Sequence, residues 1–279
     1  MSHLMKNYGR LPVSFDHGQG VWLWDKEGHK YLDALAGIAV NSVGHAHPRL
    51  VRAIADQASK LIHCSNYFNI DLQEQVAEKL VEHSGLEAVF FCNSGLEANE
   101  CAIKIARKFG HAKGIEVPNI IVLKHAFHGR SIATLSATGN PSVRADFSPY
   151  TEGFIFVDES DLDGIRKIVE ENKNVVAIFF EPILGEGGVV PIDLSVIKGI
   201  REICDEHDLL MMCDEVQCGM GRSGKWFAHQ WAEIKPDVIT MAKGLAGGVP
   251  VGAVIVSEKA NIFKPGNHGS TFGGNPLAM

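Results

Sequence analysis

The chain has 279 residues, of which 46% are hydrophobic and 21% are charged, as is usual for a globular protein. This length is sufficient for one large domain or two smaller ones. A formal net charge of -7 argues against a nucleic-acid or anionic-membrane surface, since both need clustered Lys and Arg. The first residues lack the apolar core of a secretory signal, and no apolar run could span a bilayer, so we expect a cytoplasmic protein.

Six cysteines are spread along the chain, and no two of them have the C-x-x-C spacing of common zinc and redox motifs. In a large cytoplasmic domain such residues are usually reduced and act as small core side chains. We therefore expect neither a disulfide framework nor a metal site.

The first part of the chain mixes a ribbon with helices, and we assign residues 1–62 to an N-terminal segment. Residues 21–33 alternate around a Lys-Glu-Gly turn, which predicts a two-stranded ribbon. Apolar residues at helical spacing predict helices around 50–61 and 72–80, and Asp71 is a candidate cap of the second helix.

From about residue 87 short apolar runs alternate with helical stretches, and we assign residues 63–279 to one large domain. The runs are continuous, as is typical of strands buried on both faces; they lie at 88–92, 119–124, 153–157, 175–180, 209–213, 237–242 and 252–257. Helical stretches between them include 96–109, 161–170 and 194–206. This alternation predicts an α/β fold with a mostly parallel seven-stranded sheet flanked by helices. In such sheets ligands bind beyond the carboxyl ends of the strands.

The segment after the first apolar run combines a capping box with a glycine. Ser94 and Glu97 have capping-box spacing, and Gly95 lets the backbone turn tightly and approach a ligand. The following helix would offer free N–H groups and the positive end of its dipole. The segment is therefore either an ordinary capped helix or an anion cradle suited to a phosphate.

Two other strand ends carry an aromatic ring, an arginine and a carboxylate. Phe127 could stack on a planar ring, and Arg130 could pair with a carboxylate. His125 and His128 have a spacing that fits no common metal site. Glu181 directly follows four apolar residues, so it is either part of a solvated turn or a half-buried charge that needs a partner.

Asp214 and Lys243 each follow a strongly apolar run. Asp214 should be partly desolvated, and a protonated pyridine nitrogen would be a suitable partner for its charge. Lys243 either extends to solvent or holds a poorly hydrated amine, which favours the neutral form that a nucleophile needs. Together with the anion cradle and the aromatic ring, these residues meet the requirements of pyridoxal 5'-phosphate: phosphate, ring, pyridine nitrogen and aldehyde.

Six motifs, in this order, resemble those of the class III pyridoxal-phosphate-dependent aminotransferases. They are Asn-Ser-Gly-Leu-Glu-Ala-Asn-Glu (93–100), Phe-His-Gly-Arg-Ser (127–131), Glu-Pro-Ile-Leu-Gly-Glu-Gly-Gly (181–188), Asp-Glu-Val-Gln (214–217), Ala-Lys-Gly (242–244) and Gly-Ser-Thr-Phe-Gly-Gly-Asn-Pro (269–276). The resemblance covers essentially the whole chain and implies fold type I of the pyridoxal-phosphate enzymes. It also implies that the small C-terminal domain of family members is absent from this chain.

The resemblance implies a role for each matching residue. Lys243 would bind the cofactor's aldehyde as a Schiff base and later move a proton, and Asp214 would bind the ring nitrogen. Further cofactor contacts would come from Ser94, Gly95, Leu96, Phe127, Val216 and Gln217. Thr271 would reach the phosphate of a neighbouring subunit, which implies a homodimer with shared active sites. The substrate would contact Arg130, Glu186, Tyr67 and Phe68.

Residues 9–15 and 35–41 most resemble the branch of the family that acts on N-acetylornithine. The implied reaction transfers an amino group to 2-oxoglutarate, giving N-acetylglutamate semialdehyde and glutamate in arginine biosynthesis. Ornithine, succinylornithine and 4-aminobutyrate are alternative donors. An aminomutase acting on a glutamate semialdehyde and a non-catalytic module of the same fold are alternatives of other classes. A nucleotide-binding domain is disfavoured because G-x-G-x-x-G and G-x-x-x-x-G-K-[ST] are both absent.

Overall fold

The N-terminal part of the chain contains an antiparallel ribbon in this computed structural model, which describes residues 3–279. Its strands pair in chain order: β1 (Phe15–Gln19), β2 (Trp22–Asp25) and β3 (Lys30–Leu32). The pair β2–β3 confirms the ribbon predicted for 21–33, and β1 adds a third strand whose polar sequence gave no strand signal. Residues 1 and 2 of the predicted N-terminal segment lie outside the described residues, and its boundary at residue 62 stays a prediction.

Three segments lead from the ribbon to the large sheet: α1 (Ala36–Ala39), a short turn with left-handed backbone, and the helices α2 (Pro48–Ala58) and α3 (Asp71–Ser84). Pro48 is suited to the first position of α2, where its missing N–H costs no hydrogen bond. The prediction that Asp71 caps α3 is wrong, because the cap residue is Ile70 and no side chain caps the helix there. Asp71 lies in the first turn instead, where its negative charge interacts favourably with the positive end of the helix dipole.

The large domain is built on a sheet of seven strands within residues 3–279. The strands are β4 (Ala88–Cys92), β5 (Asn119–Leu123), β6 (Phe154–Val157), β7 (Val175–Phe180), β10 (Leu210–Asp214), β11 (Val238–Met241) and β12 (Gly252–Val256), with the short pair β8 (Ile183–Leu184) and β9 (Val190–Pro191) outside the sheet. Their spatial order is β4-β12-β11-β10-β7-β5-β6. Among these seven, β12 alone runs against the others, so the prediction of a mostly parallel sheet is confirmed.

Helices cover both faces of this sheet. They are α4 (Gly95–Ala112), α5 (Ile132–Ala137), α6 (Pro141–Arg144), α7 (Leu162–Glu171) and α8 (Leu194–Glu206), and they include the three stretches predicted as helical. Successive strand residues point to opposite faces, so Val122 packs in a core with α4 while its neighbour Ile121 packs in a core with α7 and α8. No helix among the described residues is long and apolar enough to cross a membrane.

The six cysteines all lie in the described part of the chain and are free. Five are buried, which confirms for them the predicted role as core residues. Burial raises the pKa of the Cys92 and Cys101 thiols to about 12, so their reactive thiolate forms are suppressed at neutral pH.

The strand directions bring the candidate site segments together. Because β4, β5, β7, β10 and β11 are parallel, the segments that follow them leave the sheet at the same edge. The segment that precedes β12 lies at this edge as well, since β12 runs in the opposite direction.

Candidate active site

A cavity of about 450 Å³ lies at this edge of the sheet. Segments that follow β4, β5, β7, β10 and β11 line it, together with the segment before β12. The predicted site residues that line it are Ser94, Gly95, Leu96, Phe127, Arg130, Glu186, Asp214, Val216, Gln217 and Lys243.

The cavity wall at the start of α4 is an anion cradle built by local hydrogen bonds. Ser94 Oγ accepts from the Glu97 N–H at 3.2 Å, and the Glu97 carboxylate in turn accepts from the backbone and side-chain N–H groups of Asn93. A Cβ on Gly95 would lie 2.6 Å from Val216 Cγ1, so only glycine permits this close approach of helix and loop. The first N–H groups of a helix have no partner within it, so α4 can donate them to an anion in the cavity.

Asp214 is held in the cavity wall by three donors. Its side chain is 3% exposed, and its Oδ2 accepts from Asn99 Nδ2 and His128 Nδ1, both at 2.8 Å. Its Oδ1 accepts from the Val216 N–H at 3.0 Å. A charged carboxylate can accept about four hydrogen bonds, so Oδ1 retains capacity for a donor in the cavity. The fixed negative charge is suited to a cationic or N–H partner there.

Sequence reasoning missed the two side chains that bind Asp214. His128 was considered only as a weak metal ligand, and Asn99 was not considered. His128 is buried and its ring stacks on Phe179 with centroids 4.1 Å apart. The Asn99 amide also donates to the His128 carbonyl oxygen at 2.7 Å, so the three residues around the carboxylate are bound to one another.

Lys243 enters the same cavity from the neighbouring strand. Asp214 is paired with Thr240 of β11, and Lys243 begins the 3-10 turn that follows that strand. Its backbone φ of 43° is in the left-handed region, which is strained for a residue other than glycine. The side chain is half-buried, and within residues 3–279 its amine makes no hydrogen bond or ion pair. The amine is therefore available to a ligand.

The mouth of the cavity carries groups of opposite charge. Phe127 is half-buried, and the guanidinium carbon of Arg130 lies 5.8 Å from the centre of its ring. Arg130 and Glu186 are both exposed and both line the cavity, so they can receive charged groups of a substrate. Glu181 lies deeper in the wall, and burial, followed by the charge of Asp214, raises its pKa to about 7.

The sequence of the chain matches a known protein family over almost its whole length. Residues 4–279 match the sequence model of the family Aminotransferase class-III. The chain belongs to the class III aminotransferases. This confirms the family that the motifs resembled.

Curated relatives of this class III aminotransferase cover all of its residues. It is 56% identical over 279 residues to the acetylornithine aminotransferase of Nitrosomonas europaea and 52% identical over 280 residues to acetylornithine aminotransferase 1 of Bordetella parapertussis. It spans 71% of the length of each of these two proteins.

Solved structures confirm the fold of the class III chain. The ornithine aminotransferase of Toxoplasma gondii has a TM-score of 0.94 at 36% identity, over 99% of this chain and 66% of that one. The N-acetylornithine aminotransferase of Stenotrophomonas maltophilia has a TM-score of 0.82 at 39% identity, over 97% of this chain and 66% of that one. The chain therefore spans about two thirds of these structures.

Three predicted site residues do not line the cavity that contains Asp214 and Lys243. Tyr67 and Phe68 were expected to line the substrate pocket, but they lie in the loop between α2 and α3, where Tyr67 is 95% exposed. Thr271 is exposed and lines a separate cavity of about 350 Å³ together with Asn93. Its predicted contact with the phosphate of a neighbouring subunit stays a prediction.

Proposed function

We propose that this chain transfers the terminal amino group of N-acetylornithine to 2-oxoglutarate, with pyridoxal 5'-phosphate as cofactor, in arginine biosynthesis. The products are N-acetylglutamate semialdehyde and glutamate. The observation that carries the proposal is that a buried carboxylate, Asp214, and the Lys243 amine, which has no partner within residues 3–279, line one cavity beside the start of α4. The choice of donor is supported by the curated relatives, which are named acetylornithine aminotransferases.

The residues of the cavity fit pyridoxal 5'-phosphate. The start of α4 at Gly95 and Leu96 lines the cavity, where a phosphate could accept from the first N–H groups of the helix. Phe127 and Val216 can cover the two faces of a flat ring, Asp214 can bind its nitrogen, and Gln217 can donate to its phenolic oxygen. When bound, this cofactor supplies an electron sink that stabilises negative charge on the carbon next to the transferred nitrogen.

Four side chains of the cavity wall would support this chemistry by placing charge, moving a proton or binding the substrate. Asp214 would place a negative charge beside the ring nitrogen and favour its protonated form, and three donors hold the Asp214 carboxylate in place. The Lys243 amine removes the proton from the carbon that carries the donor's amino group and then donates a proton to complete the transfer. Arg130 binds a substrate carboxylate, and Glu186 controls which acid group reaches that position.

Ornithine is the second candidate donor. The ornithine aminotransferase of Toxoplasma gondii has the same backbone fold, with a TM-score of 0.94, and its name gives ornithine as the donor. A homodimer, with Thr271 contributed across the interface, and a cytoplasmic location stay predictions of the sequence.

Single-turnover spectroscopy tests the proposal. The chain loaded with pyridoxal 5'-phosphate is mixed with glutamate, N-acetylornithine or ornithine, and the loss of the absorption of the lysine-bound cofactor is followed. We expect a reaction with glutamate and N-acetylornithine and a slower reaction with ornithine. A reaction with ornithine that is as fast as the one with N-acetylornithine, or faster, would contradict the proposed preference for N-acetylornithine. No reaction with any of the three amines would contradict amino transfer. Lys243→Ala is the control and should show no lysine-bound cofactor.

A further inference from the structure

Glu181 is a buried carboxylate to which the proposed chemistry gives no task. It directly follows β7 and lies in the wall of the cavity with 5% of its surface exposed. A buried charge is costly unless hydrogen bonds compensate it, so its partners indicate what it does.

The two oxygens of Glu181 hold two different loops. Oε1 accepts from the Phe127 N–H at 2.8 Å, and Oε2 accepts from the Gly185 N–H at 3.0 Å. Phe127 is in the loop after β5, and Gly185 is in the turn between β8 and β9. Hydrogen bonds to a carboxylate are among the stronger ones in proteins, so a single side chain joins the two loops firmly.

Both loops carry groups that face the cavity. The first presents the ring of Phe127 and, three residues later, Arg130, while the second presents Glu186. The second loop also packs against Gln217, because a Cβ on Gly185 would lie 2.3 Å from Gln217 Oε1. A shift of either loop would therefore change the spacing between the aromatic ring and the groups opposite it.

We propose that Glu181 is a positioning residue, which fixes the distance between the Phe127 loop and the Glu186 loop by accepting a backbone hydrogen bond from each. Its effect on amino transfer rests on the proposed function. The link between the loops does not, because both hydrogen bonds lie within the chain itself.

Glu215 offers a matched control. It is a 1% exposed carboxylate that also accepts two backbone hydrogen bonds, from Ala228 at 2.7 Å and His229 at 2.8 Å. It is not among the residues that line the cavity. Glu215→Gln therefore makes the same chemical change to a carboxylate of similar burial whose own side chain does not line the cavity.

Hydrogen exchange of the cofactor-free chain at pH 8, where the Glu181 carboxylate is charged because its pKa is about 7, tests the link directly. In the unmodified chain the amides of Phe127 and Gly185 should be protected. In Glu181→Gln at least one should exchange roughly tenfold faster or more, because an amide side chain offers one acceptor oxygen for two donors. Residues 175–180 should stay protected, and Glu215→Gln should leave both loop amides unchanged. Unprotected loop amides in the unmodified chain, or unchanged exchange in a folded Glu181→Gln, would overturn the proposal.

Kinetics separates positioning from simple structural support. With the cofactor-loaded chain, Glu181→Gln should raise the KM for the amino donor about tenfold and lower kcat less, since the loops place the substrate. Glu215→Gln should raise the KM for the amino donor clearly less than Glu181→Gln does, because its side chain holds neither of the two loops. Glu181→Asp should restore part of the exchange protection. An equal effect of both Gln variants on KM would show a structural role only. An unmodified chain without activity would refute the proposed function, while the exchange result would still decide the link between the loops.

Discussion

Replacing Asp214 with alanine should destabilise the folded chain even in the absence of cofactor. The change removes the acceptor of three hydrogen bonds in a site that is 3% exposed. The Asn99 amide keeps its bond to the His128 carbonyl, but its second N–H, His128 Nδ1 and the Val216 N–H lose their acceptor. The Val216 N–H is only partly buried and can pair with water. An unpaired buried donor costs about 1–3 kcal/mol, so the two buried ones, on Asn99 and His128, should lower the free energy of unfolding by about 2–6 kcal/mol.

Urea unfolding at pH 6 measures this loss. Loss of the Asp214 charge also relieves its repulsion of Glu181, which offsets part of the destabilisation. This offset is small at pH 6, because the pKa of Glu181 is raised to about 7 and most of its carboxyl is neutral. Asp214→Asn keeps one acceptor oxygen and should lose less stability than Asp214→Ala. A loss below about 1 kcal/mol for Asp214→Ala would refute the assigned hydrogen bonds.

Two further changes test the cavity wall. Gly95→Ala should lower the free energy of unfolding by about 1–3 kcal/mol, because the added Cβ would lie 2.6 Å from Val216 Cγ1. Gly9→Ala is the control and should change it little, since no atom lies within 4 Å of the added Cβ. Equal effects of the two changes in urea unfolding would contradict the close approach of Gly95 and Val216. Burial and the charge of Asp214 raise the pKa of Glu181 from 4.5 to about 7, so the folded chain keeps a proton that the unfolded chain loses. The free energy of unfolding should therefore fall by about 3 kcal/mol as the pH rises from 4.5 to about 7. Glu181→Gln should remove the contribution of Glu181 to this fall. An identical dependence of stability on pH in the variant would refute the raised pKa.

The positions of the site residues could be predicted because strand ends are visible in the sequence. A continuous apolar run such as 175–180 marks a strand buried on both faces, and the residue after it lies at the sheet edge. The charged residues Glu181, Asp214 and Lys243 were recognisable for this reason. Parallel strand directions then brought them into one cavity.

Partners distant in the chain could not be predicted. The residues that bind Asp214, His128 and Asn99, are 86 and 115 positions away from it, and nothing local to them indicates the contact. Strand β1 was missed because Phe-Asp-His-Gly-Gln lacks the alternation of a half-buried strand. Tyr67 was assigned to the pocket by resemblance alone, and its side chain is 95% exposed and does not line the cavity.

Amino transfer in this cavity requires that Lys243 and Asp214 hold one cofactor between them. Reduction of the pyridoxal-phosphate-loaded chain with borohydride, followed by proteolysis and mass spectrometry, tests this directly. We predict one cofactor per chain, attached to the peptide that contains Lys243, and much weaker labelling of that peptide in Asp214→Ala at the same cofactor concentration. Labelling spread over exposed lysines, with Lys243 unmodified, would contradict the account.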